Sequence, residues 1–198
     1  MNPQTADTLR VAILISGAGS NMAALIDAAA ATDSPYEVAL VLSNKPDAGG
    51  LAVAAAKGVP TVAVDHRRFN KDREAHERAV QAELESHGVQ AIALAGYMRL
   101  LTPWLVGRWK DRMLNIHPSL LPLYPGLDTH ARALAAGDSE AGCTVHLVTE
   151  GVDEGPILDQ ARVPVVAGDT PATLSQRVLE AEHRLYPRAL AAWARSLD

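Results

Sequence analysis

The chain has 198 residues, 48% of them hydrophobic, with a formal net charge of -5. That length suits one domain with a sizeable buried core, and the acidic balance argues against a nucleic-acid binder, which carries a basic stripe. No apolar run approaches the roughly 20 residues of a membrane span, and the polar start M-N-P-Q-T-A-D-T is not a signal peptide. The single cysteine, Cys143, excludes an internal disulfide and fits a reducing cytoplasm; its apolar setting marks it as a buried thiol.

Strand-like and helix-like runs alternate from the start. Residues 11–15 are continuously aliphatic, as in a strand covered on both faces. Residues 21–31 read as a helix with Met22, Leu25 and Ile26 on one side. A strand over 38–42, a helix over 50–57 and a strand over 61–64 follow. Residues 71–87 carry His76, Val80 and Leu84 at helical spacing, and 91–95 and 113–116 are further strands. Such alternation predicts an α/β fold: a single doubly wound, mostly parallel sheet.

The pattern changes after Gly126. Strands over 144–148 and 157–163 are joined by only the loop 149–156, too short for a crossover helix, so the two should pair antiparallel. A long final helix is announced by Thr170 as N-cap and Pro171 at its first position, with Leu174, Val178, Ala181 and Leu185 as the buried stripe. Pro187 should kink it. No repeat, low-complexity tract or linker interrupts the chain.

Two local patterns carry chemistry. Ser16-Gly-Ala-Gly-Ser-Asn21 lies between the first strand and first helix, where free N–H groups and the helix dipole attract an anion. Methionine stands where a dinucleotide fingerprint has its third glycine, and no Gly-Lys-Ser/Thr follows. A phosphomonoester is therefore the better ligand, with a plain turn as the alternative. Asn115 and His117 are two apart, hence on one face of a strand that breaks at Pro118. They place an amide donor beside an imidazole at the strand's carboxyl end, which suits an oxyanion in acyl transfer. The same pair would equally serve a corner in which both only satisfy backbone groups. No HExxH or Cys/His pattern indicates a metal. His66, His76, His87 and His183 read as surface residues, and His130 and His146 as scaffold near the site.

N-I-H-P-S-L-L-P with Y-P-G (115–126) resembles the signature of the folate-dependent formyltransferases, specifically those acting on glycinamide ribonucleotide in purine synthesis. The likeness extends over V-A-I-L-I-S-G-A-G-S-N (11–21), L-S-N-K-P-D-A (42–48), L-A-G-Y-M-R-L-L (94–101), G-V-D-E-G-P (151–156) and E-A-E-H-R-L-Y-P (180–187). The resemblance implies a Rossmann-like formyltransferase domain over 1–198. Its N-terminal half would bind phosphate, and its C-terminal half would bind folate and hold the catalytic groups. It implies Asn115, His117 and Asp153 as catalytic residues. Gly19, Ser20, Asn21 and Glu182 would bind glycinamide ribonucleotide. Arg73, Met98, Arg99, Leu100, Leu101, Asn115 and the loop Thr149, Glu150, Gly151, Val152 and Asp153 would bind 10-formyltetrahydrofolate. A cis peptide between Leu121 and Pro122 follows from the same likeness, as do a cytoplasmic monomer or homodimer and no metal, nucleic-acid or membrane partner. Two departures stand out: Ala18 where relatives often have asparagine, and Asp128 where many have histidine. Formyltetrahydrofolate hydrolases and methionyl-tRNA formyltransferases are the nearest alternatives, each expected to carry an extra domain for which this chain has no residues. A non-catalytic nucleotide-binding module would not need Asn115, His117 and Asp153 together.

Overall fold

The structure is a computed structural model and describes residues 8–197; the polar segment over 1–7 lies outside the described residues. Its centre is one seven-stranded sheet in the order β3-β2-β1-β4-β5-β6-β7. The strands are β1 (Leu9–Ile15), β2 (Tyr36–Ser43), β3 (Thr61–Ala63), β4 (Ala91–Leu94), β5 (Met113–His117), β6 (Glu140–Leu147) and β7 (Ile157–Pro164). The first five pair in parallel, whereas β6 runs antiparallel to both β5 and β7. The chain winds outward from β1 to β3, then returns to place β4 on the other side of β1. Their carboxyl ends therefore flank a topological switch point, where doubly wound sheets bind ligands.

Six α-helices cover the sheet: α1 (Ser20–Ala29), α2 (Gly49–Ala56), α3 (Arg73–Ser86), α4 (Pro103–Arg108), α5 (Thr129–Ala136) and α6 (Pro171–Arg195). On one face Leu25 and Ile26 of α1 and Leu185, Tyr186 and Trp193 of α6 pack over Val11, Ile13 and Ile15. On the other, Val80 and Leu84 of α3 and Leu105 of α4 pack over Ala12, Leu14 and Leu40. Burial on both sides is why β1, β2 and β4 are almost continuously apolar. The Tyr186 hydroxyl donates to the carbonyls of Leu94 and Leu114 at 3.0 and 3.3 Å, tying α6 to the strands that carry the site.

Several local expectations are revised. Strand β6 begins at Glu140 rather than 144, because Gly142 lets β7 approach: a Cβ there would lie 2.0 Å from the Ala161 oxygen. A 3-10 turn, His66–Phe69, precedes α3, and α4 and α5 are additional helices. Helix α6 has the expected capping box at Thr170 and runs from Pro171 to Arg195 through Pro187 as a single element. His76 is fully buried, not a surface residue: its Nε2 donates to the Val64 carbonyl at 2.9 Å, and its ring meets Phe69 edge-on. Cys143 is buried as expected, and burial pushes its thiol up to about 12. The Leu121–Pro122 peptide is cis.

Candidate active site

Asn115 and His117 leave β5 on one face, as their spacing requires, and β6 brings His146 directly opposite Asn115. The 149–156 loop folds back over this face, with Asp153 in the left-handed region at φ 57°. Two glycine contacts hold that loop close. A Cβ on Gly155 would sit 1.7 Å from the Leu147 oxygen, and one on Gly151 would sit 2.2 Å from Glu154.

The four polar side chains form one cluster. His117 Nε2 donates to the Tyr124 carbonyl at 2.9 Å, and Nδ1 lies 3.3 Å from Asp153 Oδ2. With Nε2 committed to a carbonyl, Nδ1 is the only ring nitrogen left to serve Asp153 or a reacting group. Asp153 Oδ2 also accepts from the Gly126 amide at 2.9 Å, and Oδ1 lies 3.5 Å from Asn115 Nδ2 and 3.6 Å from His146 Nε2. Burial pushes the Asp153 carboxyl up. The Gly126 N–H and the His117 charge oppose it, as does His146 in the form whose Nε2 carries a proton, and the group is held below the ordinary carboxylate range. The cluster thus pairs a persistent carboxylate with two imidazoles and an amide donor, the equipment of acyl transfer with proton movement. His146, which reads as scaffold in the sequence, is part of it. The antiparallel pairing of β6 on β5 puts it there, a pairing the alternation of elements does not reveal.

The phosphate-loop candidate lies across the switch point. Gly19 caps α1 at φ 74°, and a Cβ there would lie 3.0 Å from the Met22 side chain and 3.2 Å from Gly50. The Gly50 N–H donates to the Gly17 carbonyl, packing the loop on α2. Ser20 is exposed at the helix start, but Asn21 is buried, with Nδ2 donating to Glu182 Oε2 at 2.6 Å. Glu182 is no solvated helix residue: burial pushes its carboxyl up, partly offset by the Asn21 bond.

Of the segment 98–101 beyond β4, two apolar side chains stand in solvent. Met98 is 73% and Leu100 63% exposed, and in the 149–156 loop Val152 is 52% exposed. These are large apolar side chains in solvent, two on the segment that follows β4, the neighbour of β5, and one next to Asp153 in the chain, a pattern associated with binding grooves. Arg99 is half-buried, and its charge adds to the burial that lowers the His76 pKa, while Leu101 joins the core. Arg73 begins α3, where the helix dipole disfavours a cation, and makes no ion pair among the described residues. The Ser16 hydroxyl, which sequence reasoning passed over, donates to Asn44 Oδ1 at 2.6 Å and accepts from the Met98 N–H at 2.8 Å. It joins the glycine loop to the segment 98–101. Thr149 and Glu150 are exposed at the loop's start. Asp128 caps α5 at φ 58° without a side-chain cap bond, and no described contact brings it to the cluster. Among the described residues no group of three or more His, Cys, Asp or Glu side chains is arranged to hold a metal, and no helix is long and apolar enough to cross a membrane.

The chain is similar to known proteins over almost its whole length. The phosphoribosylglycinamide formyltransferase of Escherichia coli is 44% identical over 94% of this chain and 87% of its own. The trifunctional purine biosynthetic protein adenosine-3 of Drosophila melanogaster is 48% identical over 92% of this chain, which spans only 14% of that longer protein. Among solved structures, a phosphoribosylglycinamide formyltransferase from Brucella melitensis is 57% identical. It superposes with a TM-score of 0.90, covering 94% of this chain and 95% of that one. The family model for formyl transferases matches residues 9–190, and with that span and those relatives the chain belongs to the formyl transferase family.

Proposed function

We propose that the chain transfers the formyl group of 10-formyltetrahydrofolate to the amino group of glycinamide ribonucleotide, in cytoplasmic purine synthesis. The observation that carries this reading is the convergence of Asn115, His117 and Asp153 at the end of β5, on the same carboxyl edge of the parallel strands as the glycine loop that follows β1. The glycine loop with Gly19 and Ser20 suits the phosphate. Glu182 suits the amine end, and Met98, Leu100 and Val152 suit the flat faces of a pterin. Arg73 and Arg99 suit the carboxylates of the folate tail. On this reading the N-terminal half holds the phosphate, and the C-terminal half holds the folate and the reacting groups.

The neutral amine attacks the formyl carbon, making a C–N bond and moving charge onto the formyl oxygen. Asn115 Nδ2 and Nδ1 of a protonated His117 donate to that oxygen. The 3.3 Å separation between Nδ1 and Asp153 is longer than a committed charge-assisted bond, so the proton is open to sharing. The carbon–N10 bond then breaks. The amine loses one proton and N10 gains one, with Asp153 as the ionised group able to relay it. Holding both substrates in one cleft supplies proximity worth several kcal/mol, within the roughly 7–11 kcal/mol of ideal cases. Carbon-13 in the formyl group tests the reading: it should appear in formylglycinamide ribonucleotide, whereas label recovered only as formate contradicts it.

A further inference from the structure

His146 is buried directly across the strand pair from Asn115, and its hydrogen bonds leave one arrangement of protons. Nδ1 lies 2.9 Å from the carbonyl of Leu147; a carbonyl only accepts, so Nδ1 carries a proton. In the neutral ring Nε2 is then a bare acceptor. It faces Asn115 Nδ2 at 3.2 Å, a nitrogen that only donates. The Leu147 carbonyl therefore sets the tautomer of His146, and that tautomer sets which way the Asn115 amide is turned.

The orientation matters because the two ends of an amide have opposite chemistry. With His146 taking one N–H, the second N–H of Asn115 is directed to the Asp153 side, where the contact at 3.5 Å is long and weak. Turned over, Asn115 would present its oxygen to the Asp153 carboxylate and to any developing oxyanion, which repel it. Asp153 alone, at that distance, is a poor guard against the turn. The geometry points to His146 as a positioning residue whose bare Nε2 holds the Asn115 amide with its nitrogen toward the reacting oxygen. The part that concerns the reacting oxygen rests on the function proposed above.

The competing arrangement is defined by the same atoms. Asp153 Oδ1 is 3.6 Å from His146 Nε2, and His117 stands two residues from Asn115 on the same face. Were Nε2 protonated it would donate to Asp153 and reject the Asn115 nitrogen. Nitrogen-15 spectra of the histidine rings in the free enzyme at neutral pH separate the two, the His146 signals being identified by their loss in His146→Gln. A bare Nε2 and protonated Nδ1 are expected, and a protonated Nε2 overturns the proposal. Kinetics supply the functional half. His146→Leu, lacking an acceptor, should lower kcat by up to about 100-fold with both KM values nearly unchanged. His146→Gln, whose side-chain oxygen reaches the Nε2 position, should recover to within a few-fold of wild type. Equal loss in both variants, no loss in either, or a rise in KM alone would overturn it. If His146→Leu does not fold, the ring spectrum and the Gln variant still decide. A wild type that transfers no formyl group to glycinamide ribonucleotide would defeat the functional reading and leave the tautomer result standing.

Discussion

Asn21 Nδ2 donates to Glu182 Oε2 across 2.6 Å, so the start of the first helix and the middle of the last meet in one buried polar contact. Asn21 Oδ1 is buried with no protein partner, and burial holds the Glu182 carboxyl above its ordinary range. A carboxylate kept in such a place costs stability in the free protein, a pattern expected where a side chain serves a ligand amine.

The sign follows from linkage. Because the folded Glu182 pKa is raised, the folded state binds its proton more tightly than the unfolded chain does. Stability is highest below the ordinary carboxylate range and falls as pH rises through the folded value. Glu182→Gln should therefore show a Tm equal to or above wild type at pH 8, with the difference shrinking on acidification. It should also use glycinamide ribonucleotide poorly while binding folate normally. Thermal melts across pH and initial rates against each substrate check this; a variant that melts well below wild type at pH 8 contradicts it.

Asn115→Ala should leave the fold intact and lower turnover by about 10²–10³, the usual loss for one oxyanion donor. Circular dichroism and kcat measure the two halves. A variant that keeps more than a tenth of wild-type turnover removes Asn115 from the chemistry.

Asp153 gives the opposite pH behaviour to Glu182. Its folded pKa is lowered, so its contribution to stability is present above the ordinary carboxylate range, about 4, and is lost as pH falls through the folded value. Asp153→Asn should be less stable than wild type by a constant margin from neutral pH down to about 5, and the margin should close below about 4. Denaturant titrations at stepped pH read it. A margin that closes already near pH 6 would mean that Asp153 is not the persistent anion of the site.

Gly155→Ala tests the seating of the loop that carries Asp153. Its Cβ would lie 1.7 Å from the backbone oxygen of Leu147, so the loop or the end of β6 must shift. Turnover should fall by at least about 100-fold, the cost of an ångström-scale misplacement, with the rest of the fold retained. Near-normal kcat would show that the loop does not need this seat.

The buried parallel strands were legible because burial on both faces leaves unbroken apolar runs, as in 11–15, and α6 was legible from the Thr170–Pro171 cap. The same Thr-Pro signal at Thr102–Pro103 starts α4, but six residues are too few to show a periodicity. Asn115, His117 and Asp153 could be singled out by residue type and resemblance. His146 could not, because its role depends on β6 pairing against β5, a long-range register that local pattern does not encode. His76 misled for the converse reason: a polar side chain on a helix reads as exposed until the Val64 carbonyl that satisfies it is in view.

On the proposed function the acceptor is a phosphorylated amine held between the glycine loop and Glu182, and not water. The direct measurement is the initial rate of tetrahydrofolate release from 10-formyltetrahydrofolate by the wild-type protein, with and without glycinamide ribonucleotide. Release should depend on glycinamide ribonucleotide and saturate with it, and should be negligible in its absence, since binding at the remote phosphate is what orients the reacting amine. Release at the same rate with folate alone would contradict the account and identify a hydrolase.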